Sequence, residues 1–150
     1  MNVGSICNRR VVTASAQLDI QAAAELMRED HVGFLVVVPE TPRGPQLPLG
    51  VLTDRDIVVS VVAKRADPAL LKVGDVMSMQ PVVAGESEAV DLALKTMRRA
   101  GVRRLPVVNG RGEIVGVLSF DDLLEFVARE MESLSGAVRN GRQIEGATRA

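Results

Sequence analysis

The sequence contains no tryptophan and no tyrosine, and aromatic residues make up only 2% of it. A core built around large aromatic rings is therefore excluded. Apolar residues still fill 47% of the 150 positions, so the core must consist of Val, Leu, Ile, Ala and Met side chains. A chain of this length can bury such a core as one ordinary domain, and the composition favours helices packed on aliphatic strands.

Cysteine, histidine and net charge are also scarce. Cys7 is the only cysteine and His31 the only histidine, so we expect neither an internal disulfide nor a metal site. We expect Cys7 to be a small core residue and His31 to be structural or at the surface. With 18 basic and 19 acidic residues the net charge is −1, which favours neither nucleic acid nor a membrane surface as a partner.

Long hydrophobic runs are absent as well. No segment approaches the roughly 20 apolar residues that cross a bilayer. The first residues, MNVGSICNRR, lack the apolar run of a signal peptide. We therefore expect a cytoplasmic protein.

What the chain does contain is an internal repeat. Residues 19–28, DIQAAAELMR, match residues 89–98, AVDLALKTMR, so Met27 corresponds to Met97 at a spacing of 70. The spacing falls to 66 at the phrases GVLT and GVLS, which begin at positions 50 and 116. The first copy therefore has four extra residues, which we place in the Pro-rich segment 39–49. Such repetition predicts two similar units related by a pseudo-twofold axis.

Each copy has the pattern of a β-α-β-β-α unit, which makes the fold class α+β (α/β). The first helix of each copy has apolar residues at i, i+3, i+4 and i+7, beginning at Ile20 and at Val90. Residues 105–119 predict two strands joined by the turn NGRGE. The second helices are expected at about residues 55–64 and 121–135.

These patterns divide the chain into a first repeat at residues 1–66, a second repeat at 67–130 and a C-terminal segment at 131–150. Segment 65–75 joins the repeats. We expect residues 139–150 to form a frayed tail beyond the last helix.

The repeated phrase places a hydroxyl three residues before an aspartate, as Thr53 and Asp56 and again as Ser119 and Asp122. One interpretation is structural. The hydroxyl and the carboxylate would form a capping box at each helix start, which contributes about 0.5 to 2 kcal/mol per helix and requires no ligand.

The other interpretation is a nucleotide site. A helix N-terminus offers N–H groups to a phosphate, and an aspartate there accepts hydrogen bonds from the two hydroxyls of a ribose. Arg55, Arg103 and Arg104 supply forked donors for phosphates. Without an aromatic platform, we expect the base to lie between aliphatic side chains and to pair with backbone groups. The residues expected around it are Val12, Thr13, Val82 and Val83.

The doubled pattern, DVM…PVV…GVRRLPVVN…IVGVLSFDDLL with SIC…VVT…HVGFLVVV…LGVLTDRDIV, resembles a tandem pair of CBS domains over about residues 3–128. The resemblance implies two units packed as a pseudo-symmetric pair with two clefts. It also implies regulation through adenosine-containing ligands such as AMP, ADP, ATP, NAD or S-adenosylmethionine, with no obligatory cofactor. The ribose and phosphate signature of the family corresponds to Gly50, Thr53 and Asp56, and again to Gly116, Ser119 and Asp122.

Further expectations follow from the resemblance. The chain would form a homodimer and would signal to a separate effector protein by a conformational shift. The two clefts differ, since Gly33 and Phe34 stand where the second copy has Arg103 and Arg104. We expect those arginines to belong to the Asp122 cleft and that cleft to prefer more phosphates.

Three other functions remain open at this point. The carboxylates of TDRD and FDD are compatible with an enzyme, but no nucleophile and base stand together, so we predict no catalytic residues. A dimerisation or docking module that binds no ligand is the main alternative, with Met27, Met97 and the second helices as its surface. Nucleic-acid binding has only the run RRAGVRR in its favour, and we do not expect it.

Overall fold

The structure is a computed structural model that describes residues 1–41 and 44–148. A 3₁₀ turn at Val3–Ser5 opens the chain. The first repeat follows as β1 (Thr13–Ala14), α1 (Ile20–Glu29), β2 (Phe34–Val37), β3 (Gly50–Thr53) and α2 (Asp54–Ile57), which continues as a π-helical turn at Val58–Val62. The connection contains α3 (Val73–Val76) and β4 (Ser78–Met79). The second repeat is β5 (Ala84–Gly85), α4 (Val90–Ala100), β6 (Arg104–Val108), β7 (Ile114–Ser119) and α5 (Phe120–Thr148). The expected β-α-β-β-α order is confirmed twice.

The first helices form where the apolar spacing predicts them. Asp19 caps α1 by accepting the N–H of Ala22 at 2.7 Å, and the apolar face of α1 is buried at Ile20, Ala23 and Met27. The equivalent α4 buries Ala93 and Met97 and ends at Gly101, whose φ of 66° is left-handed. Met27 and Met97 lie in the two cores, so ordinary core packing is confirmed for them and they are not available to the alternative docking surface.

The two sheets repeat the same pairing. In the first, β1 is parallel and β3 antiparallel to β2, with Leu35 opposite Leu52. In the second, β5 is parallel and β7 antiparallel to β6, with Leu105 opposite Leu118. All four leucines are fully buried, so each sheet supplies the centre of one aliphatic core. Positions 42 and 43 of the segment expected to hold the four extra residues lie outside the described residues.

The segment that precedes each repeat packs on the other repeat. Val73 in α3 is fully buried in the first core, and its N–H donates to Leu18 O at 2.8 Å. Val3, 70 positions earlier, is fully buried in the second core and donates to Glu88 O at 2.9 Å. The two repeats are therefore interleaved, since each core is completed by the segment that precedes the other repeat.

Two glycines allow this interleaving. At Gly50 an added Cβ would lie 2.7 Å from Met77 Sδ and 2.8 Å from Ser78 O. At Gly116 it would lie 2.7 Å from Cys7 Sγ and 2.9 Å from the backbone oxygen of Asn8. The glycine of each repeated phrase thus leaves room for the segment that pairs antiparallel with its strand, which is Ser78–Met79 on β3 and Asn8 beside Val117 of β7.

The final helix is much longer than expected. α5 runs from Phe120 to Thr148, so the predicted end near Ser135 is wrong, and residues 139–148 are helical instead of a frayed tail. The physical reason is that no proline follows Pro106, and the glycines in this segment weaken a helix without breaking it. Within the described part of the chain, no helix is both long and apolar enough to cross a membrane.

Candidate functional site

Both repeated phrases form the capping boxes that the structural interpretation predicts. Thr53 N–H donates to Asp56 Oδ2 at 2.8 Å, and Asp56 N–H donates to Thr53 Oγ1 at 3.0 Å. Ser119 N–H and Asp122 N–H make the equivalent bonds at 2.7 and 3.1 Å. Capping occupies only one oxygen of each carboxylate, since Oδ1 of Asp56 and of Asp122 has no hydrogen-bond partner among residues 1–41 and 44–148.

The two hydroxyls are used differently. Ser119 Oγ donates to Asp122 Oδ2 at 2.6 Å, so its proton is engaged inside the cap. Thr53 Oγ1 accepts from Asp56 and has no acceptor of its own among the described residues. The first phrase therefore presents a free hydroxyl donor beside a free carboxylate oxygen, whereas the second presents only the carboxylate oxygen.

The larger cleft contains the first phrase. It has a volume of about 610 Å³, within the range of roughly 300–1,000 Å³ typical of small-molecule sites. Its walls come from both copies: Thr53, Arg55 and Asp56 from the first, and residues 78–82 and 101–104 from the second. We call it the Asp56 cleft.

Three arginines line the Asp56 cleft. Arg55, Arg103 and Arg104 are all exposed, and none has a carboxylate within ion-pair distance in the described part of the chain. Two are positioned by aromatic rings, since the guanidinium carbons of Arg103 and Arg104 lie 5.9 and 6.0 Å from the ring centroids of Phe120 and Phe34. Forked donors without protein partners are suited to phosphate oxygens.

The second phrase lies in a smaller cleft, the Asp122 cleft, of about 200 Å³. It again combines both copies, since Ser119 and Asp122 face Val12 and residues 31–34. Its basic residues are Arg10 and Arg104, and Arg10 already pairs with Asp30 at 2.5 Å. This cleft is therefore both smaller and poorer in unpaired cations than the Asp56 cleft.

The structure corrects the expected grouping of the basic residues. Arg103 lines only the Asp56 cleft, so its assignment to the Asp122 cleft is wrong, whereas Arg104 lines both clefts. The reason is the interleaving: each capping phrase faces the strand starts of the opposite copy. The basis for expecting more phosphates in the Asp122 cleft is removed.

The four residues expected around a base are divided. Val12 lines the Asp122 cleft and Val82 the Asp56 cleft. Thr13 and Val83, their neighbours along the chain, are absent from both linings.

Some lining residues were not predicted from the sequence. His31, expected to be structural or at the surface, is exposed at the Asp122 cleft with a left-handed φ of 54°. Asn8 and Arg10 line the same cleft, and Gln80 lines the Asp56 cleft with a φ of 50°. The repeat itself could have indicated Asn8, Arg10 and Gln80 as lining residues. Positions 8–12 and 78–82 are equivalent segments, and Val12 and Val82 within them were already expected at the site.

Metal ligands and the Cys7 thiol are the remaining groups that could carry chemistry. No cluster of three or more His, Cys, Asp or Glu side chains suited to a metal ion occurs among the described residues. Burial raises the pKa of the Cys7 thiol above its ordinary value, only partly offset by Arg9 nearby, so this thiol stays protonated at neutral pH. The clefts thus offer hydrogen-bond and charge complementarity to a ligand.

Comparison with known proteins identifies the architecture. The family model of the CBS domain matches residues 3–63 and 73–129. An uncharacterised protein of Methanopyrus kandleri is 33% identical over 83% of this chain, which spans only 62% of that relative. A CBS domain protein from Pyrobaculum aerophilum, solved in complex with AMP, is 28% identical with a TM-score of 0.74 over 85% of this chain and 99% of that one. A hexameric CBS-CP12 protein from bloom-forming cyanobacteria is 26% identical with a TM-score of 0.74 over 99% of this chain and 88% of that one. With both repeats matched and the tandem fold shared, the chain belongs to the CBS domain family.

Proposed function

We propose that this chain is a regulatory module that binds an adenosine-containing ligand in the Asp56 cleft and signals to a separate protein. The observation that carries the proposal is the combination in one cleft of a free Asp56 oxygen, a free Thr53 hydroxyl and three unpaired arginines. The AMP complex of the Pyrobaculum aerophilum relative supports the same ligand class.

Each part of a nucleotide has a complementary group in this cleft. A ribose diol would donate to Asp56 Oδ1 and accept from the Thr53 hydroxyl. Phosphate oxygens would accept from Arg55, Arg103 and Arg104. The base would lie beside the exposed side chains of Val82 and Val102, where the backbone of residues 78–81 offers polar groups.

Signalling follows from the origin of the cleft walls. Because Asp56 comes from one repeat and Arg103 from the other, a bound ligand favours the relative setting of the repeats in which both contact it. Such a ligand shifts a population only as far as it binds one setting better than the other. We propose that an effector protein recognises that setting and that the module itself performs no reaction.

The Asp122 cleft is proposed as a second, weaker site. Its cap leaves one carboxylate oxygen free, but its volume of about 200 Å³ lies below the usual range for a nucleotide-sized ligand. We therefore expect adenosine ligands to fill the Asp56 cleft first.

A module that binds no ligand is the alternative, and a specific observation favours it: both capping boxes are complete within the protein. In that case the exposed apolar residues of the second helices, such as Val58, Val59 and Val62, would serve docking alone.

Isothermal titration with AMP, ADP, ATP, NAD and S-adenosylmethionine distinguishes these functions. Asp56→Ala should weaken the tightest event by about 1.5–3 kcal/mol, because a hydrogen bond to a charged group is lost. Asp122→Ala should leave that event unchanged and affect only a weaker one.

Asp56→Ala also removes the helix cap at Thr53, so a control variant must separate loss of a cap from loss of a ligand contact. Asp75 accepts the N–H of Lys72 at 2.8 Å at the start of α3 and lines neither cleft. Asp75→Ala therefore removes a comparable cap without touching the proposed site, and should lower the melting temperature while preserving binding. If no ligand binds, or if Asp56→Ala binds like the wild type, the proposed site is wrong and the docking function gains support.

A further inference from the structure

The last helix extends far beyond the fold that it caps. Leu123 is the only buried residue of α5, and from Leu124 to Thr148 every residue is exposed except Phe126 and Gly136, which are half-buried. At 1.5 Å per residue this part of the helix is about 38 Å long. Its stability cannot come from the two described cores.

This segment is also a poor candidate for a helix that stands alone. Most of the stability of a helix in a protein comes from packing of its apolar face, and glycine is the weakest helix former after proline. Gly136, Gly141 and Gly146 all lie within it. A stable helix here requires packing against another surface.

The exposed part of α5 carries a narrow apolar stripe, which we call the α5 seam. It consists of Leu124, Val127, Met131, Leu134 and Val138. The spacings of three and four residues alternate without exception, which is the a and d pattern of a two-stranded coiled coil. Each seam side chain is at least 50% exposed. On the opposite face, Arg129, Glu132, Ser133 and Asn140 are polar and follow the half-buried Phe126.

We infer that the α5 seam packs in parallel and in register against the α5 seam of a second copy of this chain. The inference does not depend on ligand binding. The alternating a and d spacing is present on both copies, and charge favours a parallel direction. In a parallel pair, Glu130 lies opposite Ser135 of the second copy and Ala137 lies opposite Arg142, so no like charges meet. In an antiparallel pair that places Leu124 against Leu134 of the second copy, Glu130 would face Glu130 of the second copy, which repulsion disfavours.

Small residues beside the seam favour close approach of two identical helices. Ala128, Ser135 and Ala137 flank the apolar stripe and leave its larger side chains free to interdigitate. The seam begins two residues after Asp122, on the helix that the Ser119 cap starts, so the dimer would be continuous with one edge of the Asp122 cleft.

Sedimentation equilibrium on the full chain tests the dimer. Wild-type protein should have at least twice the 16.0 kDa mass of one chain. Met131→Glu with Leu134→Glu should halve the mass and reduce the helical circular dichroism signal. Ser133→Glu with Asn140→Glu adds the same charge to the opposite face and should change neither. A monomeric wild type, or a Met131→Glu/Leu134→Glu variant with wild-type mass, would overturn the inference.

Disulfide trapping tests direction and register without disturbing the fold. In a Cys7→Ala background, Leu134→Cys places two thiols side by side only if the pair is parallel and in register. This variant should oxidise to a covalent dimer, whereas Ser133→Cys on the opposite face should remain reduced. Equal crosslinking of both variants, or none of Leu134→Cys, contradicts the proposed seam.

Discussion

The guanidinium carbon of Arg104 lies 6.0 Å from the centroid of the Phe34 ring, although the two residues hold equivalent positions in the two copies. Both line the Asp56 cleft and the Asp122 cleft. The pseudo-twofold axis is therefore broken where the clefts meet, with a cation on one side and an aromatic ring on the other. This pair makes the two clefts chemically different and allows their contributions to be separated by mutation.

The arginines should act on the two clefts selectively. Arg103→Gln should weaken nucleotide binding only at the Asp56 cleft, Arg10→Gln only at the Asp122 cleft, and Arg104→Gln at both. Each loss should be about 1.5–3 kcal/mol for a charge-assisted hydrogen bond, less where the arginine remains solvent-screened. Titration calorimetry at low and high salt measures the effect, since screening should reduce it.

Adenosine provides the internal control for this prediction because it carries no phosphate. Arg103→Gln should leave adenosine affinity unchanged, whereas Asp56→Ala should reduce it. An Arg103→Gln variant that loses adenosine and AMP equally would show that Arg103 supports the cleft and does not contact phosphate.

Replacing Gly50 or Gly116 by alanine should destabilise the fold, because neither position has room for a methyl group. Gly116→Ala would place Cβ 2.9 Å from the backbone oxygen of Asn8, and Gly50→Ala would place it 2.8 Å from Ser78 O. Backbone cannot move aside cheaply, so each change should lower the free energy of unfolding by about 1–3 kcal/mol. Urea denaturation measures the loss.

Gly110→Ala is the matched control for these substitutions. An added Cβ at Gly110 meets nothing within 4 Å, and this exposed turn residue should change stability by less than about 0.5 kcal/mol. Adding Cys7→Ala to Gly116→Ala should restore only part of the loss, since Asn8 O remains in place. Full stability in Gly116→Ala alone would mean that the N-terminal segment does not pair closely with β7.

Much of the fold was predictable, because the repeat shows that the helices and strands of the first copy recur in the same order in the second. The helix spacing at Ile20 and at Val90 placed α1 and α4, and the turn NGRGE placed β6 and β7. The interleaving was not predictable in the same way. The sequence shows that Val3 and Val73 are equivalent. It does not show that each of them packs in the core of the other copy, because an apolar residue in a short turn fits either core equally well.

The candidate site was predictable only in part for the same reason. Thr53 with Asp56 and Ser119 with Asp122 are local patterns, and both form the expected caps. The grouping of Arg103 and of Val82 with Asp56 depends on contacts between copies, which sequence distance does not encode. The end of α5 was predicted too early because a frayed tail and an exposed helix have similar amino-acid compositions.

Cys7 should react slowly with thiol reagents in the folded protein. Burial raises the pKa of its thiol above the ordinary value of 9.0, so the reactive thiolate is rare at neutral pH. Because the unfolded chain loses this proton at lower pH, the contribution to stability is complete below the ordinary pKa and is lost as pH rises through the higher folded-state pKa. Reaction with an aromatic disulfide reagent should be slow in buffer and fast in denaturing urea, and Cys7→Ala should flatten the alkaline decline in unfolding free energy. Reaction in buffer as fast as that of a free cysteine would contradict the packing of Cys7 against Gly116, and with it the pairing of the N-terminal segment with β7.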